Sequence, residues 1–275
     1  MNLKDHFTAL LNDQTIDLEG SQQTWDRRAD EVSHFTVQAK DVALQKALQR
    51  HSLAGASVLE ISFGGGRHLL EFAQQGARVS GVEISAKMLQ HTQGKLQQAG
   101  LQGQVGQLVH SSWEELQLAE HGWLEAFALV FLYMSPAISS AAMLRKALDA
   151  SQAGLSMALY AYREDSLLSQ LQDAFNLPRH RMGSKNADDI YNIFNLLYLW
   201  GYFPELEFEE RSQTNNYAPD YILQRYASWL WRDEVNADKT QQLLNILQAK
   251  AVDGQVSTTS RDIVGHLYVD KRIKR

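Results

Sequence analysis

An α/β fold with a mostly parallel sheet and helices on both faces is predicted by two observations. Short apolar runs alternate with amphipathic stretches from residue 57 to about residue 160, and a cluster of glycines, Gly64, Gly65 and Gly66, stands between the first two runs. Strands that alternate with helices pair in parallel and are covered on both faces, so they read as unbroken apolar runs. The chain has 275 residues, which allows one large α/β domain or two small ones.

Each element follows from its own pattern. Residues 22–50 read as helix, with Trp25, Ala29, Val32 and Val37, then Val42, Leu44, Ala47 and Leu48 as loose apolar faces. Ser57 to Ile61 is a buried-strand signal, followed by the glycine cluster and a helix from Arg67 to Gln75 that Gly76 stops. Ala77 to Ile84 is the second strand, and Ser85 is placed to cap a helix that ends near Gly100, with Met88, Thr92 and Leu96 on one face. Strand signals recur at Val105 to His110, Phe127 to Leu132 and Leu155 to Tyr160, with a helix over Ser140 to Ala150. Beyond Tyr160, helices are predicted over Asp165 to Phe175, Asp188 to Trp200 and residues 219–250, and strands over Glu205 to Arg211 and Ile263 to Val269. No internal repeat, low-complexity tract or clear linker interrupts the chain. The expected organisation is a single domain over residues 1–275, with N-terminal cover helices in 1–50, a ligand-binding core in 51–162 and the rest of the sheet, with helical insertions, in 163–275.

Composition excludes several classes. Hydrophobic residues make up 44% and charged residues 21% of the chain, as in ordinary globular proteins. The net charge of −6 gives a field that repels phosphate, so no nucleic-acid partner is expected. There is no cysteine, which removes disulfides, thiolate metal ligands and thiol nucleophiles. Asp5 and Asp13 stand where a secretory signal carries basic residues and an apolar run. The longest apolar stretch, Ile190 to Phe203, is too short to span a bilayer and is broken by Asn192, Asn195 and Gly201. The cytoplasm is the expected compartment, with no membrane association. No metal is expected, because the histidines lack ligand spacing.

The chemistry concentrates in residues 58–85: strand, glycine turn, helix, strand, then Glu83. Glycines let the backbone approach a ligand closely, and the helix that follows offers unpaired N–H groups. A carboxylate at the tip of the second strand can accept both hydroxyls of a ribose. The turn lacks the third glycine of a dinucleotide site, where Leu69 stands, and the Lys-Ser/Thr end of a phosphate loop, where Arg67 and His68 follow. Glu60, just before the turn, would repel a pyrophosphate but could accept from an ammonium group. S-adenosylmethionine has the ribose and the ammonium and carries no phosphate.

In this order of motifs the chain resembles the class I S-adenosylmethionine-dependent methyltransferases. Glu60-Ile61-Ser62-Phe63-Gly64-Gly65-Gly66 is similar to their acid followed by G-x-G-x-G, with Ser62 in place of the first glycine. Glu83-Ile84-Ser85 with Met88 resembles their second-strand signature, and Leu108 to Leu116 resembles the loop that holds the adenine, with Ser111 or Ser112 in place of the usual Asp. The resemblance covers about residues 22–162. It implies a Rossmann-like, mostly parallel seven-stranded sheet with an inserted helical lid built from residues 219–250 and 22–37. It implies that Glu60, Ser62, Gly64 and Gly66 border the methionine end of S-adenosylmethionine, that Glu83 holds the ribose, and that Ile84, Met88, Ser112 and Trp113 flank the adenine. Leu132 and Tyr133 would then lie near the methyl group, and Trp25 would belong to a cover helix near the substrate. The residues after the fourth strand, Tyr133-Met134-Ser135-Pro136-Ala137-Ile138, match only in part the polar-Pro-Pro-aromatic signature of some amino-group methyltransferases.

The implied activity is methyl transfer to a small-molecule acceptor by a monomer or homodimer. No catalytic residue is singled out, because a sulfonium is already a strong methyl donor and a general base is needed only if the nucleophile arrives protonated. An NAD-linked oxidoreductase and a catalytically silent binding protein stay open as alternatives, the latter because of the replaced motif residues. His68, His110 and His266 read as helix-surface or satisfied core residues. The aromatic group Tyr191, Phe194, Tyr198, Trp200, Tyr202 and Phe203 reads as core, and the basic end, Lys271 to Arg275, as a solvated tail.

Overall fold

The computed structural model describes residues 2–12, 17–33, 41–178, 188–231 and 235–275. In chain order the elements are α1 (Leu3–Asn12), α2 (Leu18–Ser33), α3 (Val42–Arg50), β1 (Ser57–Ile61), α4 (Arg67–Gln74), β2 (Arg78–Glu83), α5 (Ala86–Gln98), β3 (Val105–His110), β4 (Phe127–Tyr133) and α6 (Ala141–Ala150). They continue with β5 (Ser151–Asp165), α7 (Ser166–Ala174), α8 (Asp189–Leu199), β6 (Glu205–Tyr217), α9 (Pro219–Trp231), α10 (Ala237–Lys250) and β7 (Val256–Asp270). The seven strands lie in the order β3-β2-β1-β4-β5-β7-β6. β1 pairs in parallel with β2 and β4, and the β2–β3 and β4–β5 pairs are parallel as well. The chain winds outward from β1 through β3, then returns to place β4 on the other side of β1. Open α/β sheets bind ligands at the carboxyl ends of the strands that flank such a reversal, here β1 and β4.

The chain divides into two compact units, one of residues 1–159, 188–207 and 265–275, the other of residues 160–187 and 208–264. In the first, β1 and β4 are buried on both faces, with Val58, Leu59, Ile61, Leu129, Val130 and Phe131 inaccessible. The α4 helix lays Leu69, Phe72 and Ala73 on this sheet, with Phe72 edge-on to Phe131 at 5.1 Å. The cap expected at Ser85 forms, its hydroxyl accepting from the Met88 N–H, and Ser140, read as the first helical residue, caps α6 in the same way through the Met143 N–H. In the second unit α7, α9 and α10 enclose a core of their own from Leu167, Leu171, Ile222, Tyr226, Leu243 and Leu247.

Several sequence expectations are corrected. Residues 22–50 do not form one helix. The chain restarts at Asp41, whose carboxylate caps α3 by accepting from the Leu44 N–H, and Val37 lies outside the described residues. Residues 219–250 are likewise two helices, with Asn236 capping the second. The helix α1 was not anticipated. It buries Phe7 and Leu11, and its Asn12 side chain accepts from the Ala141 N–H at 2.9 Å, adding a cap to α6. The α8 helix buries Ile190, Ile193, Leu196 and Leu197; of the aromatic group Tyr202 is core as expected, Phe194 and Trp200 are half-buried, and Tyr191, Tyr198 and Phe203 are exposed. Branched aliphatic side chains fill that face, and the aromatics instead meet cations: Arg145 lies 3.8 Å over Trp200, and Arg275 4.7 Å over Tyr198. The basic tail is exposed from residue 272 onward, as expected, and is also tied to the fold by hydrogen bonds. The Lys271 ammonium donates to the Ser151 carbonyl at 2.7 Å, and the Arg275 N–H to the Gly201 carbonyl at 2.8 Å.

Candidate functional site

The glycine bend is built by backbone geometry. Ser62, Gly64 and Gly66 have φ of 56°, 55° and 71°, so the chain turns left-handed three times in five residues. The Ser62 N–H donates to the Val82 carbonyl at 2.8 Å and the Gly66 N–H to the Phe63 carbonyl at 3.0 Å. Ser62, where the motif has glycine, therefore keeps the conformation that glycine adopts freely, at a steric cost of roughly 1–2 kcal/mol. Ser62→Gly is expected to stabilise the protein by about 0.5–1 kcal/mol, the remainder being offset by the greater freedom of glycine in the unfolded chain. Chemical denaturation of the two proteins measures it, and an unchanged or lower midpoint would show that the bend carries no strain at this position.

Helix α5 holds the bend from beside it. The Thr92 hydroxyl donates to the Gly64 carbonyl at 3.1 Å, and the Lys95 ammonium donates to the Gly65 carbonyl at 2.8 Å. A Cβ at Gly66 would collide with the Thr92 side chain. Two demands thus meet at Gly66, a positive φ and a close helix approach. Thr92 was legible only as a residue on the buried face of the helix, and Lys95 carried no signal.

The Glu83 carboxylate reaches across to this bend. Its Oε2 accepts from the Gly64 N–H at 2.8 Å and its Oε1 from the Ser85 N–H at 2.9 Å. Glu83 is buried. Burial pushes its carboxyl up from the ordinary value, the Ser85, Gly64 and Ile84 N–H groups oppose that shift, and the nearby Glu60 adds to it. Each carboxylate oxygen has a second lone pair. The Ser111 N–H donates to the Glu83 carbonyl at 3.1 Å, and His110 Nε2 lies 3.0 Å from the Ile84 carbonyl. These bonds bring the loop after β3 beside the end of β2.

Glu60 ends in a buried cluster. Its Oε1 lies 3.4 Å from His68 Nδ1, and its Oε2 is buried with no hydrogen-bond partner among the described residues. His68 Nε2 lies 3.2 Å from Asp41 Oδ2. Burial alone would lower the imidazole, but hydrogen bonding to Asp41 and Glu60 outweighs it and the group is raised. Burial would raise Asp41, but the His68 hydrogen bond, the imidazolium charge and the Leu44 N–H pull it down to about 2. His68 is therefore a core histidine satisfied by two acids. The Tyr133 ring sits 4.6 Å from the His68 ring and 4.4 Å beneath the Arg67 guanidinium. Met134 follows it with φ of 50°, a second strained residue at the carboxyl end of a strand.

The remaining candidates are placed as follows. Met88 and Leu132 are buried, and Ile84 and Trp25 are half-buried. The Ser112 hydroxyl is engaged within its own loop, donating to Glu115 Oε2 at 2.9 Å and accepting from the Glu115 N–H at 3.2 Å. That pairing closes a turn over residues 112–115, and the Ser-x-x-Glu spacing is visible in the sequence. The Trp113 ring is buried against α6, its Nε1 donating to the Met143 carbonyl at 3.3 Å and the Lys146 ammonium 4.7 Å from its centroid. Trp25 is on α2, which is held at the start of α5: the Ser85 hydroxyl donates to Asp26 Oδ1 at 2.6 Å. Asp26 was not singled out, since a surface acid in a charged helix gives no sequence signal.

Comparison with known proteins bears on this arrangement. Residues 58–155 match the profile of a family described as a methyltransferase domain. The ribosomal RNA small subunit methyltransferase H of Synechococcus sp. (strain JA-3-3Ab) is 37% identical over 70 residues, covering 25% of this chain and 23% of that protein. The chain thus matches about a quarter of that curated relative's length. Among solved structures, magnesium protoporphyrin IX methyltransferase from Synechocystis PCC 6803, with S-adenosylmethionine bound, has a TM-score of 0.50 at 16% identity and covers 74% of this chain and 92% of that one. A candidate methyltransferase of Bacillus halodurans C-125 has a TM-score of 0.50 at 19% identity, covering 83% and 98%. At such identities the likeness is one of fold.

Proposed function

We propose, from the premise that residues 58–155 belong to the class I methyltransferase domains, that this chain moves a methyl group from S-adenosylmethionine to a small-molecule acceptor. The observation that carries the reading is the reach of Glu83 over the glycine bend, Oε2 at 2.8 Å from the Gly64 N–H. With the Ser85 N–H on Oε1, these contacts occupy one lone pair on each oxygen, and the carboxylate keeps capacity, shared with the Ile84 N–H, for the ribose hydroxyls. The buried, unpartnered Oε2 of Glu60 suits an ammonium group at the other end of the bend. The residues present therefore fit the cofactor.

When bound, the cofactor supplies a methyl group on a positively charged sulfur. The chain's part is to hold that end in place and keep water out, so that an acceptor lies in line at about 3–3.5 Å. Glu83 fixes the sugar, Glu60 the amino-acid end, and the bend lets the backbone pass close between them. Ile84, Met88 and the loop holding Ser112 and Trp113 border the base. Leu132 and Tyr133 end the strand beside the bend, on the side left for the acceptor. The negative net charge favours a small molecule over a nucleic acid as acceptor. No helix among the described residues is long and apolar enough to cross a membrane. The reading takes the protein to act in the cytoplasm as a monomer or homodimer.

Calorimetric titration with S-adenosylhomocysteine tests the site, and incubation with methyl-labelled S-adenosylmethionine and a cell extract tests the reaction. Saturable binding at micromolar ligand and label in the small-molecule fraction are expected. No heat at millimolar ligand would overturn the cofactor assignment, and label confined to RNA or protein would overturn the acceptor class.

A further inference from the structure

Beneath the glycine bend, three side chains from three elements meet away from water: Asp41 at the start of α3, His68 in the first turn of α4 and Glu60 in β1. The side chains of Asp41, His68 and Glu60 are 6%, 2% and 3% exposed. His68 faces a carboxylate oxygen with each ring nitrogen, at 3.2 Å and 3.4 Å. Ionised carboxylates only accept, so this placement favours the protonated ring, and hydrogen bonding to Asp41 and Glu60 raises the imidazole against the effect of burial. The second oxygen of Asp41 is engaged by the Leu44 N–H at 2.9 Å. Of the four carboxylate oxygens, Glu60 Oε2 is left, buried and with no partner among the described residues.

Two carboxylates around one imidazolium leave one negative charge over. The charge of Arg67 reaches the cluster, favouring the ionised Asp41 and opposing the protonated His68, but its guanidinium lies over the Tyr133 ring at 4.4 Å and gives Glu60 Oε2 no hydrogen bond. A buried acceptor without a donor costs free energy, and more so when charged. A purely structural cluster could avoid that cost with an apolar residue of similar shape. The buried Glu60 oxygen is satisfied by a ligand that brings it an N–H donor, and the donor that pairs most strongly with a carboxylate is a charged one such as a primary ammonium.

The geometry points to Asp41 and His68 as positioning residues that hold Glu60 by one oxygen and aim the other at the ammonium of the cofactor's amino-acid end. This rests on the cofactor reading above and extends it to two residues outside the resemblance motifs. The Asp41–His68 contact sets the ring orientation, and the ring sets the rotation of the Glu60 carboxylate. Because Asp41 also caps α3, the same contact ties that helix to the bend.

Two ligands separate this role from a general contribution to folding. S-adenosylhomocysteine carries the ammonium, whereas 5′-methylthioadenosine has the same base, sugar and thioether sulfur without the amino-acid end. In calorimetric titrations of the full chain, wild type should favour S-adenosylhomocysteine. His68→Leu should lose at least tenfold of that affinity, with 5′-methylthioadenosine held within about twofold. Asp41→Asn, which keeps an acceptor for the Leu44 N–H, should move the ratio in the same direction and keeps the test decisive if His68→Leu does not fold. Equal losses for both ligands, or an unchanged ratio in both variants, would overturn the positioning role while leaving the cofactor assignment intact. A wild type that binds S-adenosylhomocysteine no better than 5′-methylthioadenosine would overturn it too. A wild type that binds neither ligand would overturn both readings together.

Discussion

Glu83→Ala is expected to weaken binding of S-adenosylhomocysteine by at least a hundredfold and to lower stability as well. A hydrogen bond to a charged partner contributes about 1.5–3 kcal/mol. Losing two hydroxyl contacts therefore removes about 3–6 kcal/mol, or roughly a factor of 10² to 10⁴ in affinity. The same change strands the N–H groups of Gly64 and Ser85, which Glu83 accepts at 2.8 Å and 2.9 Å, at about 1–3 kcal/mol each if water does not reach them. Glu83→Gln is no neutral control, because its amide presents donors to one of two N–H donors. Titration below the melting transition of the variant separates affinity from folding. A 2′-deoxy analogue of the ligand supplies the second arm of a cycle: it should bind wild type more weakly than the parent, and bind Glu83→Ala no more weakly. A variant that binds the parent ligand within threefold of wild type would remove Glu83 from the site.

The second large effect lies in the other unit. Asp165 is buried at the start of α7, and its Oδ1 accepts from the Leu168 N–H at 2.9 Å and the Thr258 hydroxyl at 2.8 Å. Its Oδ2 accepts from the Tyr226 hydroxyl at 2.7 Å. Burial and the adjoining carboxylate push the Tyr226 phenol well above its ordinary value. Asp165→Ala removes a helix cap, at about 0.5–2 kcal/mol, and strands two buried hydroxyls, at about 1–3 kcal/mol each. We expect a loss of about 3–5 kcal/mol by chemical denaturation. Tyr226→Phe alone should cost about 1.5–3 kcal/mol, since the lost bond is to a charged partner. The double variant should cost less than the sum, since residues sharing one network couple by about 0.5–3 kcal/mol. A single-variant loss under about 1 kcal/mol would show that the network is dispensable.

The centre of the fold was legible because its strands are buried on both faces. A strand such as Ser57–Ile61, flanked by a glycine turn and an amphipathic helix, has no other use for so many branched apolar side chains. The predicted strands at 105–110 and 127–132 match β3 and β4 to within a residue. The later strands were read short. Leu155 to Tyr160 is the middle of β5, and β6 and β7 extend well beyond 205–211 and 263–269. Their outer portions, such as Ser212 to Asn216 and Ser257 to Asp262, are polar or alternate at the surface, and polar strand segments resemble loops when pairing is not visible. The two-unit division carried no composition shift for the same reason: long strands continue through it with no linker between.

The local chemistry of the bend belongs to the sequence: an acid before a glycine cluster, an acid after the next strand, and a cap at Ser85, each fixed by neighbours a few residues away. Backbone rules and period-two or period-3.6 burial act over such distances, so residue types alone carry them. What the tertiary structure decided are the pairings across long separations, where Asp41 finds His68, Lys95 finds the Gly65 carbonyl and Asp26 finds Ser85. Those partners are chosen by how helices pack on the sheet, and a charged side chain on a helix reads the same in one dimension whether it meets water or a buried acid.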